Sequence, residues 1–168
     1  TGVDPMDLIE KYGTDATRFS LLLQCGSSQD IRFDADVVDN VVGDSPIAES
    51  CRNFCNKIWN ATRFVLMNLN GAQVVNVAKD LTLVEDRWIL SRYNSTIRRV
   101  TGSLGTYRFD EAAHTLYDFI WSEWCDWYLE MVKGRLNGHD EKSRSVAQAV
   151  LVEVLGGSLR LLHPMMPF

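Results

Sequence analysis

Cysteine, proline and histidine are all scarce in this chain, at four, four and three among 168 residues. The cysteines, Cys25, Cys51, Cys55 and Cys125, form no C-x-x-C pair. That spacing excludes a zinc ribbon and argues against a disulfide framework, so reduced thiols are expected. No glycine-rich phosphate loop and no nucleophile elbow occurs, which leaves no catalytic residue to name. No apolar run approaches the roughly 20 residues that cross a bilayer. No basic-then-apolar leader opens the chain. A cytoplasmic protein without a membrane partner is the expectation. The net charge of -5 argues against indiscriminate nucleic-acid binding but permits a local basic face on an acidic body.

What is present is helix punctuation. With 46% hydrophobic residues the chain can bury a sizeable core. Asp4-Pro5 reads as a cap followed by proline at the first helical position, and Gly13 as the left-handed exit. Thr14 is expected to cap a second short helix ending near Cys25. Ile31-Arg32-Phe33 alternates and is the one plausible strand, with a short helix or turn over Asp34 to Val42. Four long helices follow. The first spans Pro46 to Leu69 on a stripe of Ile47, Cys51, Phe54, Ile58, Ala61, Val65 and Leu66. The second opens on the capping box Thr82-x-x-Glu85 and carries Trp88, Ile89, Tyr93, Ile97, Val100 and Leu104. The third follows Asp110, carries Ala113, Leu116, Ile120, Trp124, Tyr128 and Met131, and stops at Gly134. The fourth spans Glu141 to Leu162. Short connections make sequential helices antiparallel. Thr1 and the apolar end HPMMPF read as the cut ends of a longer polypeptide.

The chemistry centres on the first long helix. Asn53, Asn56, Asn60 and Arg63 recur at spacings of three and four and share a face. Lys57 and Phe64, seven apart, align one above the other. An aromatic beside cations can stack on an unpaired base while lysine or arginine holds phosphate, and amides can read base edges. A solvated bundle face carries the same residue types, and Phe64 suits a core equally well. Trp121, Trp124, Trp127 and Tyr128 could form a stacking platform, but aromatics at helical spacing more often fill a core. Glu111-x-x-His114 has the spacing of a di-iron ligand pair, but the second such pair is missing, so no metal site is expected.

Several blocks carry a family resemblance. DPMDLIEKYGTDATRFSLL and QDIRFD resemble the segment that follows the KMSKS loop in valyl-, isoleucyl- and leucyl-tRNA synthetases. RNFCNKIWNATRFVL, EDRWILSR, WSEWCDWYLE and LLHPMMPF are similar to the valyl branch in particular. The resemblance implies a valine–tRNA ligase whose helical domain grips the anticodon stem-loop of valine tRNA. It implies that ATP and Mg belong to a catalytic domain elsewhere in the same polypeptide, leaving this segment without a cofactor. Lys57 and Phe64 match family positions facing the anticodon loop, and Leu129 matches one near the anticodon bases. Asn53, Asn56, Asn60 and Arg63 join them from the wheel. The stretch ADVVDNVVGDSPIAES departs from the family's short basic lead into RNF, one arginine of which helps hold the anticodon. Arg52 is the open candidate to replace it.

The reading is an all-α antiparallel helical bundle over residues 39–168, preceded by a small α/β stem-contact connector over residues 1–38. A monomer is expected. The alternatives are a helical protein–protein interaction module and the corresponding domain of an isoleucyl-tRNA synthetase.

Overall fold

The computed structural model describes residues 3–26, 31, 33–38, 41–69 and 83–168. Helix α1 (Pro5–Tyr12) is capped by the Asp4 carboxylate, which accepts from the Met6 N–H at 2.8 Å. Gly13, at φ +91°, closes α1 and occupies the cap position of α2 (Thr14–Leu23). Thr14 is therefore not the cap that its sequence suggested. It is already helical, whereas a cap residue must stand outside the helix.

The expected strand over Ile31 to Phe33 does not form. Ile31 and Phe33 are irregular, and Arg32 lies outside the described residues. The β structure comes instead from β1 (Val37–Val38) and β2 (Val41–Val42), antiparallel, with Val37 opposite Val42 and Val38 opposite Val41. Two valine pairs two residues apart can satisfy each other's backbone, which a lone three-residue segment cannot. Paired Asp36–Asp44 and Gly43–Asp36 backbone bonds of 2.9 and 2.7 Å close the hairpin base. Lys11 Nζ then donates to the Asp44 carboxylate and the Gly43 carbonyl, each at 2.8 Å. Ser45 Oγ accepts from the Ala48 N–H at 3.3 Å and starts the next helix.

That helix, α3 (Pro46–Leu69), buries Ala48, Cys51, Phe54, Ala61 and Val65. Leu66 was expected on the same stripe but is 61% exposed. Leu66 stands about 100° further round the helix than Val65, which carries it past the edge of the face that α3 buries. In α4 (Val84–Gly105) the cap position is Leu83, without a side-chain bond, and Thr82 lies outside the described residues. Ile89, Tyr93 and Val100 are buried, as the sequence stripe required.

The third long segment is a continuous rod in three parts: α5 (Phe109–Asp118), a π segment (Phe119–Tyr128) and α6 (Leu129–Leu136). Gly134 does not stop it, and Met131 points outward. The Leu129 N–H bonds the Trp124 carbonyl, five residues back, the signature of the wider π turn. Helix α7 (Glu141–Leu162) is capped by Asp140, which accepts from the Ser143 N–H at 3.1 Å. By length and composition alone α7 is apolar enough to cross a membrane, contrary to the sequence expectation. Its apolar residues, among them Val150, Leu151, Val154 and Leu155, instead fill the bundle interior.

The rods alternate in direction. Asn68 meets Gln148 across α3 and α7, and Arg92 meets Glu123 across α4 and the π segment. Helix α3 and the third rod run the same way, so Lys57 meets Asp126 and Phe64 meets Lys133, each pair seven residues further on. Two contacts lock the rest. The Tyr93 hydroxyl lies 1.4 Å from where a Cβ on Gly157 would stand, so α4 and α7 touch where only glycine fits. Fully buried Asp86 accepts from the Tyr128 hydroxyl and from Arg135 Nη1, both at 2.7 Å. Arg135 goes on to donate to Ser143 Oγ and the Ser143 carbonyl. The architecture is an all-α bundle; β structure among the described residues is confined to the one hairpin. Phe19 of α2 stacks on Phe54 of α3 at 5.3 Å, so the leading helices share this core.

Candidate nucleic-acid interface

A groove of about 370 Å³ opens between α3 and the rod where π segment meets α6. One wall carries Lys57, Asn60, Ala61 and Phe64; the other carries Cys125, Asp126, Leu129, Glu130 and Lys133. Ala61, Cys125 and Leu129 are buried and make an apolar floor. Phe64 is half-buried, packed against the core on one side and reaching the groove on the other. The Lys133 ammonium stands 6.0 Å from the centre of its ring.

Both lysines of the groove have partners. Lys57 Nζ sits 4.4 Å from the Trp121 ring centroid and pairs with the Asp126 carboxylate. Lys133 Nζ bonds both oxygens of Glu130, at 2.6 and 2.7 Å. Two cations and two carboxylates thus cancel locally, over an aromatic and an aliphatic surface. Such a surface can take a flat, polar-edged group; it is not a plain phosphate trap. Burial pushes the Cys125 thiol up to about 12, so the groove floor holds no thiolate nucleophile. Burial likewise raises Cys51 to about 12 and Cys55 to about 11.

Four of the seven residues singled out from sequence, Lys57, Asn60, Phe64 and Leu129, meet in this groove. Asn53, Asn56 and Arg63 do not line it; they stand on the exposed flank of α3. Arg52 turns away as well. Its guanidinium lies 5.7 Å from the Tyr12 ring and 3.7 Å from Glu49, against α1.

Sequence reasoning missed Asp126, Glu130 and Lys133. Their signal was available: Asp126 and Lys133 flank Leu129 at spacings of three and four, and Glu130 stands four from Asp126 and three from Lys133. The aromatic cluster divides. Trp124 and Tyr128 are core, Trp121 is half-buried and stacks on Tyr117 at 5.5 Å, and Trp127 is 61% exposed rather than core. His114 Nδ1 lies 2.9 Å from the Asp110 carbonyl, while Glu111 is taken by Arg108. Among the described residues no group of three His, Cys, Asp or Glu side chains is placed to hold a metal ion. A larger cavity of about 630 Å³ beside Arg98, Arg99 and Arg108 includes none of the seven residues.

Comparison with known proteins bears on this geometry. Residues 86–168 match the family model for the anticodon-binding domain of tRNA ligase. Over 99% of its length the chain is 50% identical to a valine–tRNA ligase of Symbiobacterium thermophilum, of which it covers 17%. It is 48% identical, over 99% of its length, to valine–tRNA ligases of Thermosynechococcus vestitus and Bacillus cereus, covering 18% of each. The chain thus spans less than a fifth of these relatives' length. An all-α bundle, a match to that domain model and near-half identity along the whole chain lead to one assignment: residues 86–168 belong to the anticodon-binding domain family of tRNA ligases, and the chain throughout is similar to the corresponding part of valine–tRNA ligases.

Proposed function

We propose that this chain recognises the anticodon arm of valine tRNA, with the loop bases entering the groove between α3 and α6. The observation that carries the reading is the convergence of Lys57, Asn60, Phe64 and Leu129 on that one groove. Phe64 supplies a ring face on which an unpaired base stacks, and Leu129 an apolar floor. Arg63, exposed on the neighbouring turn, is placed to meet backbone phosphate beside the groove.

On this reading the chain serves a valine–tRNA ligase that attaches valine to its tRNA in an ATP-dependent reaction. Residues 1–38 form the stem-contact connector and residues 39–168 the anticodon bundle, joined to a catalytic domain of the same polypeptide. The protein works as a cytoplasmic monomer. ATP and Mg²⁺ belong to the rest of the polypeptide.

Filter binding tests the proposal. The 168-residue chain should retain valine tRNA over the same tRNA with a swapped anticodon. Equal retention of both would refute recognition of the anticodon. The affinity should fall as salt rises, by roughly 0.7 log units per log unit of salt for each single-strand phosphate contacted.

A further inference from the structure

We infer that the Lys57–Asp126 pair reads the edge of an unpaired base, and that Asp126 is the specificity-determining residue of the groove. The inference rests on the RNA reading above and goes beyond it, because it assigns Lys57 to base rather than phosphate and gives a role to a carboxylate.

Three observations carry it. The first is that Lys57 is committed on two sides, by the Trp121 ring at 4.4 Å and by Asp126. Its side chain is only 29% exposed. A phosphate arriving there would have to displace Asp126 and then lie beside both Asp126 and Glu130, two like charges on the same wall. The second is that Asp126 keeps acceptor capacity. Its Oδ1 meets Lys57, and its Oδ2 takes no hydrogen bond from the described residues. A carboxylate is an acceptor only, and every base carries at least one N–H on its Watson–Crick edge. The third is the seating. Leu129 and Phe64 lie along the groove from the pair, so a base stacked there presents its edge toward an ammonium donor and a carboxylate acceptor side by side. Asn60, on the rim, adds an amide.

The pair is therefore a neutral donor–acceptor unit. Its contribution to binding should depend on which base faces it and barely on salt.

The test turns on a sign. The chain binds an RNA stem-loop carrying the valine anticodon, measured at several salt concentrations. Asp126→Ala removes a negative charge from an acidic protein. If Lys57 were a phosphate clamp restrained by Asp126, this variant would bind tighter, with a steeper salt slope. If the pair reads a base, binding weakens by about tenfold, the worth of a good edge contact, and the slope stays put. Asp126→Asn, which keeps the size, should re-order the affinities for stem-loops differing at single loop bases. An RNA methylated on the Watson–Crick edge of the contacted base should lose the same factor against the wild-type chain and nothing further against Asp126→Ala. Tighter binding, or unchanged binding and base order, overturns the inference while leaving RNA recognition intact. Failure of the wild-type chain to bind any stem-loop overturns both. Asp126 is 45% exposed, and a far-UV circular dichroism spectrum establishes that each variant is folded.

Discussion

Two acid–base pairs flank the same rod, and burial makes them different objects. Asp86 and Arg135 are 0% and 13% exposed, joined at 2.7 Å and tied further to Tyr128 and Ser143. Lys57 and Asp126 are 29% and 45% exposed, and their other neighbours are a tryptophan ring and a groove. In the first pair solvent scarcely reaches the charges: Asp86 is held by Arg135 and the Tyr128 hydroxyl, Arg135 by Asp86, Ser143 and Glu85 at 3.8 Å, and the charge of one is what makes the other tolerable. In the second, water or a ligand can replace either partner at small cost. The buried pair fastens α4, α6 and the start of α7 together. The groove pair is held in place yet exchangeable, which is what a recognition surface requires.

The largest expected effect is on the buried side. Arg135→Ala leaves the Asp86 charge uncompensated and should cost about 3–5 kcal/mol. For a chain of this length that is a fall of about 6–20 °C in melting temperature. A loss below about 1 kcal/mol would erase the distinction between the pairs. Alkali should also strike the buried region. Burial and the adjacent Asp86 carboxylate push the Tyr128 phenol far above its ordinary value, and burial holds Cys51 and Cys125 at about 12. These groups ionise in the unfolded chain near 9 and 10 but stay protonated when folded, so the unfolded state binds fewer protons. Stability is fully present below about pH 9 and drains as pH rises toward 12. Urea midpoints between pH 8 and 11 check this; Cys51→Ala with Cys125→Ala should flatten the decline, and Asp126→Asn should not.

Phe64→Ala sits between the two regions. As a half-buried ring it should cost less stability than the roughly 3–5 kcal/mol of a core phenylalanine. It should weaken RNA binding by roughly 1–3 kcal/mol with the salt slope nearly unchanged. A collapsed melting temperature with normal binding by the folded remainder would return Phe64 to the core. The smallest effect belongs to the groove pair: Lys57→Ala should change stability by at most about 1 kcal/mol in thermal melts.

The legible parts of the fold were those with a clean period. Helices α3 and α7 begin and end at the residues read from sequence, because Pro46 and Glu141 open them after capping residues and apolar residues recur at helical spacing. The π segment was not read, though its trace was there. Leu116, Ile120, Trp124, Tyr128 and Val132 are all buried, at steps of four. In an α-helix a step of four drifts by about 40°, so five such residues would wind off the core; a wider turn keeps them on it. The hairpin was missed because two valine pairs are too short to show alternation. In the groove, the α3 wall was legible because one amphipathic helix displays it. The opposite wall was not. Asp126, Glu130 and Lys133 look like solvated charge until the parallel course of α3 and the rod sets them beside Lys57 and Phe64.

The contact between Tyr93 and Gly157 reaches beyond this one chain. A methyl group at position 157 would coincide with the Tyr93 hydroxyl, so position 157 is not free to vary while Tyr93 stands. Among related sequences, alanine or serine at 157 should appear together with a shorter side chain at 93, and a tyrosine at 93 should come with glycine at 157. Two positions distant along the chain are thereby coupled by one phenol ring, and covariation between them would report how closely α4 and α7 approach throughout the family.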